Sequence, residues 1–508
     1  MHELNVFKQT MKMVVFTVLV IALSRVSNGY ILPLFALVGV WCAFSSKLGW
    51  ALVFYVLMPF FVILNPGLIG QGNVVAGAAM RIGPLLIGLL LAMTSGSRRG
   101  RHRLPLGLLW PFLAVAAVSS MTGWAPAVSY MKLINFSIFL IGIWFGTQNL
   151  QDRPKDVFLL RSFFLAMAVI LVWGSIVVMP FPTISYATSL KYAMLEGGEA
   201  YAEDLFRTMQ MDGARTLFCG VTNHSQALAP MLCCSLVYVL CDMLFIERRF
   251  TKFHVSLLLS ALPLLYMTRS RVALMTFLFI MVIVFFYTTR KIQLHSEIRQ
   301  KLGKGLFIGI VLIVAVACVA QLKSGAMTSW LRKTDRNSVD NRSLGEALTE
   351  SRMVLMEMSL NEFRRNPLLG SGFQVAEYTR DRMGRSPGLI LSSPIEKGIL
   401  PMMVLGETGI IGEIVFLIFL GGFWAVCSRR HYYVTLTTFS VFLMTNMGEA
   451  TFFSPGGGGG IMWMVCVVGG FTIDTTILYR RNLFDQWAAM VAAERQEREL
   501  EMARTREM

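Results

Sequence analysis

Charged residues are scarce in this sequence. They make up 15% of its 508 residues, and 55% of the residues are hydrophobic, whereas a water-soluble globular domain is roughly a quarter charged. Apolar runs long enough to cross a bilayer recur along nearly the whole chain and leave no second domain large enough to bury a core of its own. The composition therefore excludes a soluble globular protein and predicts a single integral-membrane domain.

Cysteine motifs are absent, and acidic residues are outnumbered by basic ones. The eight cysteines show no CxxC motif or other paired spacing, and most lie inside apolar runs, so neither a disulfide framework nor a metal site is implied. The 46 basic and 30 acidic residues give a formal net charge of +16, a balance that can indicate nucleic acid. The basic residues, however, form short clusters between apolar runs, where membrane topology explains them. We expect no metal, no cofactor and no nucleic-acid partner.

The apolar runs predict an all-α, polytopic transmembrane helix bundle. Fourteen runs approach spanning length, and the second is short enough to be re-entrant or interfacial, so about 12–14 spans are expected. The runs are 13–28, 31–46, 49–65, 74–95, 105–122, 126–148, 157–179, 222–246, 252–268, 271–288, 304–322, 399–426, 432–448 and 459–479.

The short basic clusters predict the topology. With a cytoplasmic N-terminus, strict alternation puts every short basic cluster on the cytoplasmic side, as the positive-inside rule requires. Both termini are then cytoplasmic, and two long polar loops lie on the outer face, where long loops are exempt from the rule. The predicted parts are an N-terminal transmembrane bundle (1–179), a first outer loop (180–221), transmembrane helices with a basic turn (222–322), a large outer loop (323–398), C-terminal transmembrane helices (399–480) and a cytoplasmic helical tail (481–508).

Three basic residues, Arg81, Lys132 and Arg271, lie in the outer part of apolar runs. A cation inside a bilayer is costly and usually faces a partner, the bundle interior or a water-filled cavity. The alternative is a long side chain that reaches the lipid headgroups. Arg269 and Arg271 share one short turn, and helical positions two apart point in different directions. We expect Arg271 to face the bundle and Arg269 the headgroups.

The large outer loop contains a predicted amphipathic helix at 346–365. Arg352 lies on its apolar stripe, and a cation there needs an anionic partner. Residues 366–373 then break the helix, with a proline and two glycines that allow a tight, closely packed return. The stripe consists of Leu348, Leu355, Leu360 and Phe363.

These elements resemble the O-antigen ligase and polymerase family, bacterial membrane enzymes that transfer or polymerise lipid-linked glycans. The resemblance covers roughly residues 210–420 and depends on the order and spacing of several motifs, none of them diagnostic alone. The motifs are Arg215 with the Asn223 region, Ser270-Arg271 opening a helix, Arg352 followed by Asn366-Pro-Leu-Leu-Gly-Ser-Gly372, and Leu405-Gly-Glu-Thr-Gly-Ile-Ile-Gly412.

The resemblance implies a metal-independent glycosyltransferase with a polyprenyl pyrophosphate-linked glycan as donor and a glycan or lipid-linked glycan as acceptor. Guanidinium groups bind phosphate oxygens in bidentate fashion. Arg215, Arg271 and Arg352 are therefore predicted to hold the pyrophosphate. Further cationic candidates are Arg269, Arg81 and Lys132.

The sequence departs from the family pattern at the expected base. The family usually has a His-Asn pair before the helix that carries Glu-Thr-Gly, whereas this chain has Glu396-Lys-Gly398, and its large outer loop contains no histidine. Glu396 is the predicted base, and the alternative is that it caps the following helix. His224, the one histidine that the topology places outside, is either the competing base or a structural residue. Glu407 lies deeper, and its neighbours indicate a helix-packing role.

The sequence thus predicts a polysaccharide polymerase or O-antigen ligase at the outer face of the bacterial cytoplasmic membrane. Its further partners are membrane lipids and other polysaccharide-assembly proteins. The missing histidine slightly favours a polymerase. One alternative is a transporter or flippase of lipid-linked glycans, which would show inverted repeats and broken helices, and the sequence has no convincing internal repeat. The other is a non-catalytic assembly subunit, in which substitution of the outer arginines affects only stability.

Overall fold

The computed structural model describes residues 2–69, 74–95, 104–148, 150, 152–181, 218–223, 225–268, 270–283, 344–375, 399–448 and 450–481. The prediction of an all-α polytopic bundle is confirmed. Within these ranges, the only β pairing is an isolated antiparallel bridge between Leu64 and Thr222. The described α-helices of six or more residues are α1 (His2–Val26), α2 (Leu32–Phe44), α3 (Leu48–Ile63), α4 (Val74–Ser95), α5 (Trp110–Thr122), α6 (Pro126–Thr147), α7 (Pro154–Val169), α8 (Ser225–Cys241), α9 (Lys252–Met267), α10 (Arg271–Ile283), α11 (Leu344–Arg365), α12 (Leu400–Arg429), α13 (Tyr433–Thr445) and α14 (Gly458–Trp463).

Eight helices in the described part of the chain are long and apolar enough to cross a membrane. Three of them continue through π-helical turns, so that unbroken helix runs over Pro154–Val178, Ala227–Glu247 and Gly458–Arg481. Thirteen of the fourteen predicted apolar runs overlap helices, and the run 304–322 lies outside the described residues. The division of the chain into loops and bundles, and the side of the membrane on which each loop lies, stay predictions.

Proline marks several helix starts. Pro126 and Pro154 are the first residues of α6 and α7, and Pro401 is the second residue of α12. Proline suits the first turn because its missing N–H would have no intrahelical acceptor there. Pro59 lies inside α3, as transmembrane helices tolerate when neighbouring groups satisfy the freed carbonyl.

The bundle has a central and a peripheral set of helices. The span Ala227–Glu247 is 100% buried in its most apolar window, whereas α12 is only 28% buried. Helix α12 therefore lies at the edge of the bundle, with one face packed inward and the other facing outward. Its inward face meets a cluster of aromatic rings in which Phe416 packs on Phe112, Phe452 and Phe453, with ring centroids 5.3–5.9 Å apart.

A buried ionic cluster holds one end of the bundle together. Arg161 of α7 forms two hydrogen bonds to the Asp242 carboxylate, at 2.6 and 2.9 Å, and a third to Glu247. His254 of α9 contacts the same Asp242 at 3.0 Å. Arg480, near the end of the last helix, donates to the carbonyl of Ile246 at 2.7 Å. These contacts join three helices and the end of the last span.

The same end of the bundle is where α12 finishes. Asp474, also near the end of the last helix, accepts the amides of Val434 and Thr435 at 3.0 and 2.8 Å. These amides belong to the first turn of α13, which follows directly after Arg430 at the end of α12. The ionic cluster therefore lies at the opposite end of the bundle from Leu400, where α12 begins.

Candidate functional site

Four of the predicted site residues, Arg215, His224, Arg269 and Glu396, lie outside the described residues. The backbone is described for the other two principal arginines. Arg271 is the first residue of α10, and Arg352 lies in the third turn of α11. The convergence of the three principal arginines on one cavity stays a prediction.

The starts of α10 and α12 lie at the same end of the bundle. The amide of Leu400 donates to the carbonyl of Asn446 at 3.1 Å, and a Cβ at Gly448 would overlap Val272, the second residue of α10. Asn446 and Gly448 belong to the same turn after α13. Arg271 therefore begins its helix close to the point where α12 begins.

The ends of α3 and α8 are tied to each other by backbone hydrogen bonds. The amide of Asn223 donates to the carbonyl of Ile63, and the amide of Asn65 donates to the carbonyl of Val221, both at 2.8 Å. Residues 218–223, which precede α8, are thus hydrogen-bonded to the C-terminal end of α3.

The segment 366–375, which we call the return segment, docks into a break in α12. The break is at Gly409, whose backbone is non-helical with φ 65° and ψ −169°. In an unbroken helix the amide of Ile410 would donate to the carbonyl of Gly406. Here it donates to Pro367 at 2.9 Å, and the carbonyl of Gly406 instead accepts the amide of Ser371 at 2.9 Å. The amide and the carbonyl that the break leaves without helical partners are therefore both paired with the backbone of the return segment.

The contact between the return segment and the break in α12, which we call the junction, also uses the next carbonyl of α12. The carbonyl of Glu407 accepts the amide of Gly372 at 3.0 Å and the hydroxyl of Ser119, from α5, at 2.5 Å. A buried carbonyl without a partner would be costly, so these donors stabilise the broken form of the helix. The break is thus a built feature of the fold.

Two glycines make the close approach sterically feasible. Gly370 and Gly409 have φ of +70° and +65°, in the left-handed region that favours glycine. A Cβ at Gly370 would overlap the backbone of Glu407, and a Cβ at Gly409 would overlap the carbonyl group of Leu368. The tight return that the sequence predicted at residues 366–373 is therefore present, and its packing partner is the broken helix.

Polar side chains of α6 support the return segment from beneath. The Ser129 hydroxyl donates to the carbonyl of Phe373 at 2.8 Å, and Nζ of Lys132 donates to the carbonyl of Gln374 at 3.0 Å. Lys132 is only 5% exposed, so its ammonium group does not reach the headgroups by snorkelling. Its predicted contact with pyrophosphate stays a prediction. Arg81, on α4, is half-buried.

Helix α11 faces α12 with two buried polar residues, and the described members of the predicted apolar stripe lie beside them. The side chain of Leu348, the first member of the stripe, lies outside the described part of the chain. Ser359 and Glu362 are buried, whereas Leu355, Leu360 and Phe363 are half-buried. The reason is close backbone packing, because a Cβ at Gly406 would lie 2.9 Å from the carbonyl oxygen of Ser359. A leucine at position 359 would not fit so near another helix.

A serine and a carboxylate connect α11 to this junction. The Ser371 hydroxyl lies 3.0 Å from a carboxylate oxygen of Glu362 and 3.2 Å from the carbonyl of Gly406. The sequence analysis did not single out Glu362, Ser371, Ser119 or Ser129. Only the Gly-Ser-Gly pattern around Ser371 gave a local signal, since the other contacts join residues far apart in the chain.

The described residues offer carboxylates, serines and Lys132 at this junction, but no group of three or more His, Cys, Asp or Glu side chains that could hold a metal ion. Glu407 is 1% exposed and lies at the break itself. These contacts tie α6, α11 and α12 together through the return segment.

Comparison with known families identifies the stretch that contains this junction. Residues 255–417 match the family model for O-antigen ligase, and no curated protein matches the chain. The matched stretch begins in α9, includes α10, α11 and the return segment, and ends in α12 eight residues beyond the break. The resemblance found in the sequence is confirmed for this stretch.

Proposed function

We propose that this chain, whose residues 255–417 match the O-antigen ligase family, is a glycosyltransferase of the bacterial cytoplasmic membrane. It transfers or polymerises glycans carried on polyprenyl pyrophosphate at the outer face. The observation that carries the proposal is the coincidence of the family match with the junction between the return segment and the broken α12.

The proposed reaction is a single displacement at the anomeric carbon of the donor. A hydroxyl oxygen of the acceptor glycan forms the new bond, the bond from the anomeric carbon to pyrophosphate breaks, and the hydroxyl proton passes to a base. Polyprenyl pyrophosphate leaves with the electron pair. Charge develops on the leaving oxygens, and fixed guanidinium donors in a dry site stabilise that charge. The proposed donors are Arg215, Arg271 and Arg352, with Arg269, Arg81 and Lys132 nearby.

The junction contributes by positioning. Binding groups act best when the scaffold holds them rigidly before the substrate arrives. Helix α11 carries Arg352 and is tied to α12 through Ser371 and Gly406, and the return segment is tied to α6 through Ser129 and Lys132. A displacement of the return segment therefore moves Arg352 relative to the start of α12.

The broken helix also favours one rival, a transporter of lipid-linked glycans, because discontinuous helices are common at transport sites. In such sites the released backbone groups face the substrate. Here the carbonyls of Gly406 and Glu407 accept hydrogen bonds from the return segment and Ser119. We therefore prefer the transferase. A polymerase is preferred to a ligase because Glu396 stands where the family has histidine.

The role of the arginines is tested by charge-conserving substitution. Arg352→Lys and Arg271→Lys are each expected to lower glycan transfer about a hundredfold in purified protein with a polyprenyl pyrophosphate-linked donor, because the charge remains but the bidentate fork is lost. The matched control is Arg364→Lys, at the exposed end of α11, where Nη1 donates to Asn361 at 3.2 Å. If all three variants transferred glycan at the same rate, a non-catalytic assembly subunit would be the better interpretation. Vectorial movement of the donor without transfer would favour the transporter.

The base is tested separately. Glu396→Gln keeps the shape of the side chain but accepts no proton, so transfer is expected to fall about a hundredfold. The fall should persist across pH, because amide groups do not titrate. Activity near the wild-type level would remove Glu396 from the mechanism, and His224→Gln would then be the next variant to assay.

A further inference from the structure

The end of the bundle that holds the ionic cluster also carries two basic segments. One is 247–252, at the connection from α8 to α9, and the other is 479–481, the end of the last span. The hydrogen bond from Arg480 to the carbonyl of Ile246, at 2.7 Å, holds the two segments side by side. We call the surface that they form the basic patch. Its cations are Arg248, Arg249, Lys252 and Arg481, all exposed, and the half-buried Arg480.

The basic patch lies at the level of the lipid headgroups. The span Ala227–Glu247 has 21 residues, a length of about 31 Å, which matches the thickness of the hydrocarbon core, about 30 Å. Arg248 follows this span directly. Tyr479, in the other segment, is exposed, and tyrosine is enriched where the membrane meets water. The patch is therefore placed to meet phosphate groups of the bilayer.

The basic patch holds positive charge that the fold does not neutralise. Glu247, the one acidic residue in the two segments, binds Arg161 of the ionic cluster. Arg480 is close enough to Arg161 and Arg248 for their charges to repel it. Within the part of the chain that the structure describes, the Arg248 side chain forms no hydrogen bond or ion pair. An anion between Arg248 and Arg480 would relieve this repulsion.

Arg248 has a backbone conformation that arginine rarely adopts. Its φ of 54° and ψ of 28° are left-handed, and glycine is the usual residue in that conformation at the end of a helix, because a Cβ is strained there. A cation near a helix C-terminus also interacts favourably with the helix dipole. Arg249, whose φ is not positive, supplies such a charge without the strain. Strain of this kind indicates that the side chain itself is used.

We propose that the basic patch binds the headgroup of an anionic phospholipid, with the lipid phosphate between the guanidinium groups of Arg248 and Arg480. A guanidinium group has five N–H donors, and Arg480 spends one of them on Ile246. Guanidinium groups bind phosphate oxygens in bidentate fashion, and basic pockets between membrane helices bind phospholipid headgroups in this way. Arg249 and Lys252 repel the quaternary ammonium group of a zwitterionic lipid, so the patch selects anionic lipids.

A bound lipid would also stabilise this end of the bundle. Its phosphate would link the end of the last span to the connection that follows Asp242 and Glu247. The acyl chains of a lipid remain in the bilayer beside the patch, whereas free phosphate has no such anchor. The inference is independent of the proposed glycan transfer, since the patch lies at the opposite end of the bundle from the start of α12.

The test is native mass spectrometry of the full chain, delipidated in neutral detergent and titrated with phosphatidylglycerol. Arg248→Gly and Arg480→Gln are each expected to raise the Kd of the first bound lipid about fivefold, because one cation near the phosphate is lost. Arg248→Gly should melt no lower than the wild type in detergent, since glycine relieves the left-handed strain. Phosphatidylglycerol should raise the melting temperature of the wild type more than that of Arg248→Gly.

The matched control is Arg429→Gln, because Arg429 is an exposed arginine at the same end of the bundle, on the peripheral helix α12. It is expected to leave the Kd for phosphatidylglycerol unchanged. Equal weakening by Arg429→Gln and Arg248→Gly would overturn the proposal, because any cation at this end would then attract the lipid. Phosphatidylcholine that binds as tightly as phosphatidylglycerol, or inorganic phosphate that displaces the lipid at equal concentration, would overturn it as well.

Discussion

Alanine at position 409 is expected to destabilise the protein by about 4 kcal/mol, roughly a thousandfold in the ratio of folded to unfolded protein. The new Cβ would overlap the carbonyl group of Leu368, and Gly409 has a φ of +65° that alanine adopts with strain. To relieve the overlap, the return segment must leave the break. The hydrogen bonds from Ile410 to Pro367 and from Ser371 to Gly406 are then lost.

The measurement is the thermal melting of purified protein in detergent, followed by size-exclusion chromatography, with glycan transfer as a second readout. Gly77→Ala is the matched control, because Gly77 also lies in a membrane helix and a Cβ there would meet nothing within 4 Å. That variant should melt at or slightly above the wild-type temperature, since alanine favours helix. A Gly409→Ala protein with wild-type melting and wild-type transfer would show that the docked return segment is dispensable.

Methionine at position 161 is expected to destabilise the protein by about 3–5 kcal/mol, the usual cost of leaving buried charge unpaired. Arg161 is the cation between Asp242 and Glu247. Its removal leaves the two buried carboxylates of Asp242 and Glu247 close together without their cation. The expected readout is a large fall in melting temperature, with aggregation at lower temperatures than the wild type.

The control for this variant is a partly exposed ion pair at the start of the same helix. Arg153 and Asp156 are 3.7 Å apart and both partly exposed, so Arg153→Met should cost less than about 1 kcal/mol.

A further variant makes the test specific. Arg161→Met combined with Asp242→Leu and Glu247→Leu removes the cation and both carboxylates and should recover most of the lost stability, because an apolar replacement often matches a buried ion pair. A triple variant less stable than Arg161→Met alone would contradict this account.

The sequence was sufficient to predict most of the membrane helices because each needs a long apolar run of its own, and such a run is a local property. Thirteen runs overlap helices in the described chain. The break in α12 was not predicted. Gly409 sits in the run 399–426, and nothing local separates a glycine that breaks a helix from one that packs inside it. The break depends on Pro367 and Ser371, donors and acceptors about forty residues away.

The ionic cluster was also missed, although a local signal existed. Arg161 lies in the run 157–179 and Asp242 in the run 222–246, and an ionisable residue inside a membrane span is a candidate for a specific partner. The pairing itself joins residues 81 positions apart, which no periodicity reveals. For Lys132 the sequence left open whether the side chain faces the interior or reaches the headgroups. The structure shows it buried, with its ammonium group on the carbonyl of Gln374 in the return segment.

The central claim is that lipid-linked pyrophosphate binds between Arg271 at the start of α10 and Arg352 on α11, at the end of the bundle away from the ionic cluster. A cryo-electron microscopy structure with bound polyprenyl pyrophosphate tests it most directly. The account predicts pyrophosphate density within hydrogen-bond distance, about 3 Å, of the guanidinium groups of Arg271 and Arg352, with the return segment docked at Gly409. Pyrophosphate bound elsewhere, with these two guanidinium groups on separate surfaces, would contradict it.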